Sequence, residues 1–218
     1  MLEVDGIALL PEWPAFLSFV VAGLALNIVP GADMTFVAAS AARGGRRDGI
    51  IAALGIGAGS LVHVVAATLG LSAILASSQT AFNLIKWVGA IYLLWIAFTL
   101  VRNGHGATTD ASGSPPTGGW RLFRAAMLVN ILNPKVALFF LAFLPQFVDP
   151  TAASPAIQIL CLGLWFDLVG TLVNIVVALA AAGMANRLRH NRLVGRAARW
   201  IAATAMTGLA FQLALSRR

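Results

Sequence analysis

The chain has 218 residues, of which 59% are hydrophobic and 11% charged, and its formal net charge is +7. A soluble domain carries about 25% charged residues, so the apolar excess excludes a water-soluble globule and calls for lipid as solvent. The basic balance does not indicate nucleic acid, because the arginines fall in short loops between apolar runs, a pattern that orients membrane proteins.

In chain order, the N-terminus MLEVDGIALLPEW is acidic and has no basic n-region, so no cleaved signal peptide is expected. A helix that crosses a bilayer needs about 20 apolar residues. Six segments reach or approach that length: 15–42, interrupted at Pro30-Gly31; 49–71, which carries His63; 81–101, which includes Lys86; 122–148, interrupted at Asn133-Pro134; 155–186; and 198–215. The stretch 102–120, RNGHGATTDASGSPPTGGW, is the one long linker, and its Gly, Ser, Thr and Pro content makes it flexible. The expected fold is all-α: one transmembrane domain over 1–218, with halves 1–101 and 121–218 of three helices each.

Basic residues set the expected orientation. Arg43, Arg46 and Arg47 follow the first segment, Arg102, Arg121 and Arg124 flank the linker, and Arg187, Arg189, Arg192, Arg196 and Arg199 follow the fifth. These are eleven of the 15 Lys and Arg, whereas Glu3, Asp5, Glu12 and Asp149 fall on the other side. The basic loops are therefore expected in the cytoplasm and both termini outside, with Arg217 and Arg218 dissenting.

Three helices per half is an odd number, so the halves insert with opposite orientation. LNIVPGADMTFV from Leu26 and VNILNPKVALFF from Val129 each hold an Asn-Ile step, a proline near mid-span and then one ionisable residue. This suggests an inverted repeat, and broken helices at matching places in two inverted halves point to a transporter's binding site.

Asp33 lies ten residues before Arg43, roughly 15 Å from the basic end. Lys135 follows Pro134 at a similar depth, and Asp167 is near the middle of the fifth segment. Each such charge costs about 2.5–3.5 kcal/mol at a helix centre, so these groups face protein or water. Asp33 meets the positive end of the half-helix after Pro30, and Lys135 meets the same kind of end, so the lysine is expected to need Asp33 or Asp167 as partner. Two acids against one base leave a carboxyl able to bind and release a proton, the alternative being a purely structural ion pair. Asn27, Asn130, Asn133 and Asn174, with the breaks at Pro30, Gly31 and Pro134, complete the candidate solute and proton site; interhelical hydrogen bonding is the other role for the amides.

Gly55 and Gly59 in GIGAGS form a GxxxG step, expected to bring two helices into close contact. His63 stands alone in its segment, with His105 and His190 in loops, and Cys161 is the one cysteine, so neither a metal site nor a thiol pair nor any cofactor is expected. A phosphate-binding loop and a GxSxG nucleophile context are both missing from the sequence.

PGADM from Pro30, RGGRRDGIIAALGIGAGSLVH from Arg43, WVGAIYLLWIAF from Trp87 and NILNPKVALFFLAFLPQFV from Asn130 together resemble the LysE/RhtB family of amino-acid exporters, over residues 13–215. The resemblance implies six helices in a bacterial inner membrane and export of amino acids or their derivatives, in exchange for protons. Family members read PGP followed by an acidic or amide residue, with Asn common before it; here Ala32 replaces the second proline and Val29 precedes the motif. The expected partners are an amino-acid-like solute, protons and the bilayer; assembly into a homo-oligomer is compatible with the sequence. The alternatives are an exporter or channel for another small solute or ion, and a membrane enzyme, for which the sequence offers no nucleophile-base pair.

Overall fold

The structure is a computed structural model that describes residues 10–71, 118–149 and 154–184, the pairs 3–4 and 7–8, and single helical positions between 80 and 98 and at 204 and 207. The expected linker, apart from its last three residues, and most of the third and sixth expected segments lie outside the described residues. One feature departs from the all-α expectation. Strands β1 (Glu3–Val4) and β2 (Ile7–Ala8) pair antiparallel, Glu3 opposite Ala8 and Val4 opposite Ile7. The sequence between them is Asp-Gly, the dipeptide favoured in two-residue hairpin loops.

Helix α1 (Trp13–Ile28) starts with Pro14 in its first turn, where the missing N–H has no ladder partner to lose. It stops because Val29 precedes Pro30; the proline ring pushes Val29 into extended geometry, with φ −62° and ψ 119°. Helix α2 (Ala32–Ala66) then runs through the basic stretch that the sequence suggests as a loop. Its helical backbone geometry is interrupted at Gly45, where φ is 72° and ψ −166°, a region that only glycine enters without strain. The chain reverses there. A Cβ placed on Gly49 would lie 2.7 Å from the Cβ of Ala41, although eight residues of straight helix span about 12 Å. So α2 is a hairpin of two arms, 32–44 and 46–66, and it ends in a π-helical turn, Ala67–Leu71.

Helix α3 (Gly119–Ile131) and helix α4 (Pro134–Leu138) are separated by the second proline break, and Asn133 before it is again extended, at φ −78° and ψ 106°. A π-helical turn, Phe139–Phe143, and a 3-10 turn, Leu144–Phe147, follow α4. Pro145 cannot donate to Leu141, which accounts for the loss of regular α geometry here. Helix α5 (Pro155–Met184) is unbroken. By length and composition Ala32–Gly70, which folds back at Gly45, and Pro155–Gly183 are apolar enough to cross a membrane, as is the pair Gly119–Ile131 and Pro134–Phe147, bent by 47°. The described positions from Thr80 to Phe98 are helical and exposed.

Two apolar clusters form the core. One is aromatic, built on Phe19, Phe139, Phe140, Phe143, Phe147 and Phe166. The other is built on small residues, Ala41, Ala52, Ala53, Ala126 and Ala178, with Phe36 and Ile56. Gly49 abuts Ala178, and a Cβ on Gly119 would lie 3.3 Å from Ile51. The Gly45 turn, the start of α3 and the last turns of α5 therefore share one end of the bundle. Arg43, Arg46, Arg47, Arg121 and Arg124 gather at that end, all exposed. Trp13, at the start of α1, and Trp120, at the start of α3, are both about two-thirds exposed, as interfacial tryptophans are.

Candidate functional site

Along every long element, polar residues separate the two apolar clusters. On α2 the order is Asp33 then Phe36 in the first arm, and Ile56, Gly57, Ser60, Val64 in the second; on α3 and α4 it is Ala126, Asn130, Val136; on α5 it is Phe166, Asp167, Asn174, Ala178. Here the helices leave a small pocket of about 20 Å³ that is partly open to the surroundings. Its polar wall includes Asn27, Asp33, Ser60, Asn130, Asp167 and Asn174, and its apolar wall includes Ile56, Val136 and Phe166. Helical spacing explains the contribution of α5: Asp167, Gly170, Thr171 and Asn174 recur at i, i+3, i+4 and i+7 and so share one face.

Asp33 is 8% exposed, and its Oδ2 accepts a hydrogen bond from Asn130 Nδ2 at 3.0 Å. At hydrogen-bond distance and angle its Oδ1 has no partner, and the same holds for Asp167 Oδ1, Ser60 Oγ and Asn130 Oδ1, although Ser60 is near enough to act on the Asp167 carboxyl and Asn133 on that of Asp33. Buried polar atoms are nearly always partnered, and a cluster that is not marks a place where another molecule supplies the bonds. Asn27 packs its amide against Gly170, where a Cβ would come within 2.8 Å of it.

Lys135 stands outside the cavity lining. Its Nζ donates to the carbonyls of Leu26 at 3.3 Å and Val29 at 3.1 Å, while Asp33 acts on it as a nearby charge. The expected carboxylate partner is thus joined by backbone oxygens, for a physical reason. Pro30 has no N–H for Leu26, its i−4 residue, and the C-terminal end of α1 carries negative partial charge. Gly31 leaves room for the ammonium, since a Cβ there would lie 3.1 Å from Nζ. The second break is treated in the same way. Pro134 removes the i+4 donor of Asn130; its carbonyl accepts instead from the Asn133 N–H at 2.9 Å and from His63 Nε2 at 3.1 Å. Because the acceptor is a carbonyl, His63 donates from Nε2, and its ring stacks on Phe140 at 6.0 Å. Asn133 caps α4 by accepting from the Lys135 backbone N–H at 3.0 Å.

Of the sequence candidates, Asn27, Asp33, Asn130, Asp167 and Asn174 converge on the cavity, whereas Pro30, Gly31, Asn133, Pro134 and Lys135 build the two breaks beside it. Ser60 and Thr171 join the wall without having been candidates. Their register with Gly57 and Asp167 on one helix face was the available signal. Gly55 and Gly59 are where the GxxxG reading puts helix contact. A Cβ on Gly55 would strike the Phe123 carbonyl, and one on Gly59 would lie 2.6 Å from the Met127 carbonyl, both on α3. Among the described residues no group of three His, Cys, Asp or Glu could hold a metal ion.

Apolar helices around a polar pocket, with two proline breaks beside it, define a helical membrane protein with a buried polar site. The LysE type translocator profile matches residues 24–217, and the chain belongs to that family. It is similar to an uncharacterized membrane protein of Vibrio cholerae, 29% identical over 83% of this chain and 87% of that one. It is also similar to leucine efflux proteins of Klebsiella pneumoniae, 27% identical over 71% and 73%, and of Enterobacter sp. strain 638, 24% identical over 91% and 94%. No solved structure matches the chain. The protein is therefore a membrane transporter and not an enzyme.

Proposed function

We propose that this protein exports amino acids or amino-acid derivatives from the cytoplasm across the inner membrane, by exchange for protons. The observation that carries the reading is the pair of carboxyls, Asp33 and Asp167, facing one cavity between two apolar clusters. A carboxyl that holds either the solute's ammonium group or a proton, never both, makes the two compete, and that competition is antiport without ATP. The names of the leucine efflux relatives support an aliphatic solute, as does the wall of Ile56, Val136 and Phe166. In this reading the chain has six spans arranged as two inverted halves, with the basic end in the cytoplasm and both termini outside. The solute enters past the small-residue cluster and leaves past the aromatic one.

The test is leucine flux in reconstituted vesicles with and without an imposed pH gradient. We expect the gradient to drive accumulation in the wild type. Asp33→Asn or Asp167→Asn should abolish that drive while leaving leucine-leucine exchange, since the amide keeps the shape of the carboxyl and loses its proton site. Gradient-driven flux that is unchanged in both variants would mean that neither carboxyl carries the proton.

A further inference from the structure

We infer that the cavity selects its solute by a primary ammonium group next to an apolar chain and does not require a free carboxylate. The inference rests on the export reading and names the substrate class of that same site: primary amines with an aliphatic chain, amino-acid amides and esters as well as amino acids. Four oxygens carry it. Asp33 Oδ1, Ser60 Oγ, Asn130 Oδ1 and Asp167 Oδ1 are buried without a partner at hydrogen-bond distance and angle, and all four residues line the cavity. Asp33, Ser60 and Asn130 are each more than nine-tenths buried. The four come from both arms of α2, from α3 and from α5, so they surround the space instead of lining one side of it.

Three of the four are carbonyl or carboxyl oxygens and Ser60 can also donate, so the set asks chiefly for donors and positive charge. A primary ammonium offers three N–H donors and no acceptor, whereas a carboxylate offers acceptors only. Two of the four oxygens belong to carboxyl groups, which attract a cation and repel a second carboxylate when charged. The cation that the sequence supplies for a carboxylate is engaged elsewhere, because the Lys135 ammonium donates to the Leu26 and Val29 carbonyls at the end of α1. Among the described residues the unpartnered donors at the cavity are Asn27 Nδ2 and the Ser60 hydroxyl, both neutral. The apolar wall of Ile56, Val136 and Phe166 takes the chain of the solute.

The comparison uses leucine, leucinamide and N-acetyl-leucine. Each is tested for thermal stabilisation of the detergent-purified full chain and for competition with leucine counterflow in vesicles. Leucinamide keeps the ammonium and loses the carboxylate; N-acetyl-leucine does the reverse. We expect leucinamide to stabilise and compete at least as well as leucine, and N-acetyl-leucine to be weaker by at least about tenfold, the consequence of leaving buried acceptors without a charged donor. If leucine is carried but leucinamide neither stabilises nor competes, or if N-acetyl-leucine equals leucine, the inference is overturned and the export reading stands. If leucine shows no counterflow while leucinamide stabilises the protein, the ammonium selection holds and export of free amino acids falls. If leucine shows no counterflow and leucinamide gives no stabilisation, both fall.

Discussion

The two halves of the core solve the same packing problem with opposite materials. On one side of the cavity, phenylalanines interlock: Phe139 stacks on Phe166 with centroids 4.1 Å apart, Phe140 meets both edge-on, Phe143 meets Phe139 and Phe147, and Phe147 and Phe139 reach Phe19. On the basic side, alanines and glycines let backbones touch, so that Gly55 and Gly59 of α2 lie against carbonyls of α3 and Gly49 lies against Ala178 of α5. In a bilayer the lipid tails are as apolar as any side chain, so association depends on van der Waals fit. Large rings obtain that fit by interdigitation, and small residues obtain it by proximity. The teaching is that the two ends fail differently: the aromatic end tolerates neither deletion nor loss of shape, and the small-residue end does not tolerate addition.

The largest effect should come from adding bulk at the small-residue end. Gly55→Leu and Gly59→Leu place side chains where the Phe123 and Met127 carbonyls already stand. The expected outcome is loss of monodisperse, folded protein after extraction from the membrane. If both variants extract and transport normally, the close contact between α2 and α3 is not what holds that end together.

Deletion at the aromatic end should rank next. Phe139 is 2% exposed and touches four other rings. Phe139→Ala should cost about 3–5 kcal/mol, read as a lowered unfolding temperature in detergent. The matching deletion at the other end, Ala126→Gly, should cost only about 1 kcal/mol. Equal costs would remove the contrast between the clusters.

The smallest effect lies at the boundary, where the proline breaks are capped by side chains. Lys135→Met strips the Leu26 and Val29 carbonyls of their side-chain donor and should cost roughly 1–3 kcal/mol, whereas His63→Leu leaves the Asn130 carbonyl with the Asn133 N–H and should cost only about 1 kcal/mol. Pro30→Ala restores a backbone N–H for Leu26 and should recover part of the Lys135→Met loss but none of the His63→Leu loss; Pro134→Ala should do the converse. Double-mutant unfolding measurements check this. Additive effects in both matched pairs would mean that the two side chains do not serve the freed carbonyls.

Much of the site was legible because ionisable and helix-breaking residues are rare in apolar segments. Asp33, Asp167 and the asparagines stand out against their surroundings, and five of the candidates do meet at one cavity. Ser60 and Thr171 were not legible, since serine and threonine are unremarkable in a membrane helix and only their facing across α2 and α5 gives them a place. The stretch from Arg43 to Asp48 was taken for a loop because of its charge, yet a single positive-φ glycine is enough to reverse a chain that stays helical on both sides.

The sequence by itself determined that this chain lives in lipid, because no aqueous core could absorb its apolar surface. It also determined where the spans break, because proline lacks an N–H and restrains the residue before it. It put the arginines of two separate loops in register for one end of the bundle. What only the tertiary structure decided is which groups answer which. Depth along a helix places Lys135 level with two acids, but the direction of its side chain depends on the end of α1 lying against it, and there two carbonyls stripped of donors receive the ammonium. The carboxyls are left facing the cavity, because the bonds of a buried polar group are settled by what surrounds it in space and not by its position in the chain.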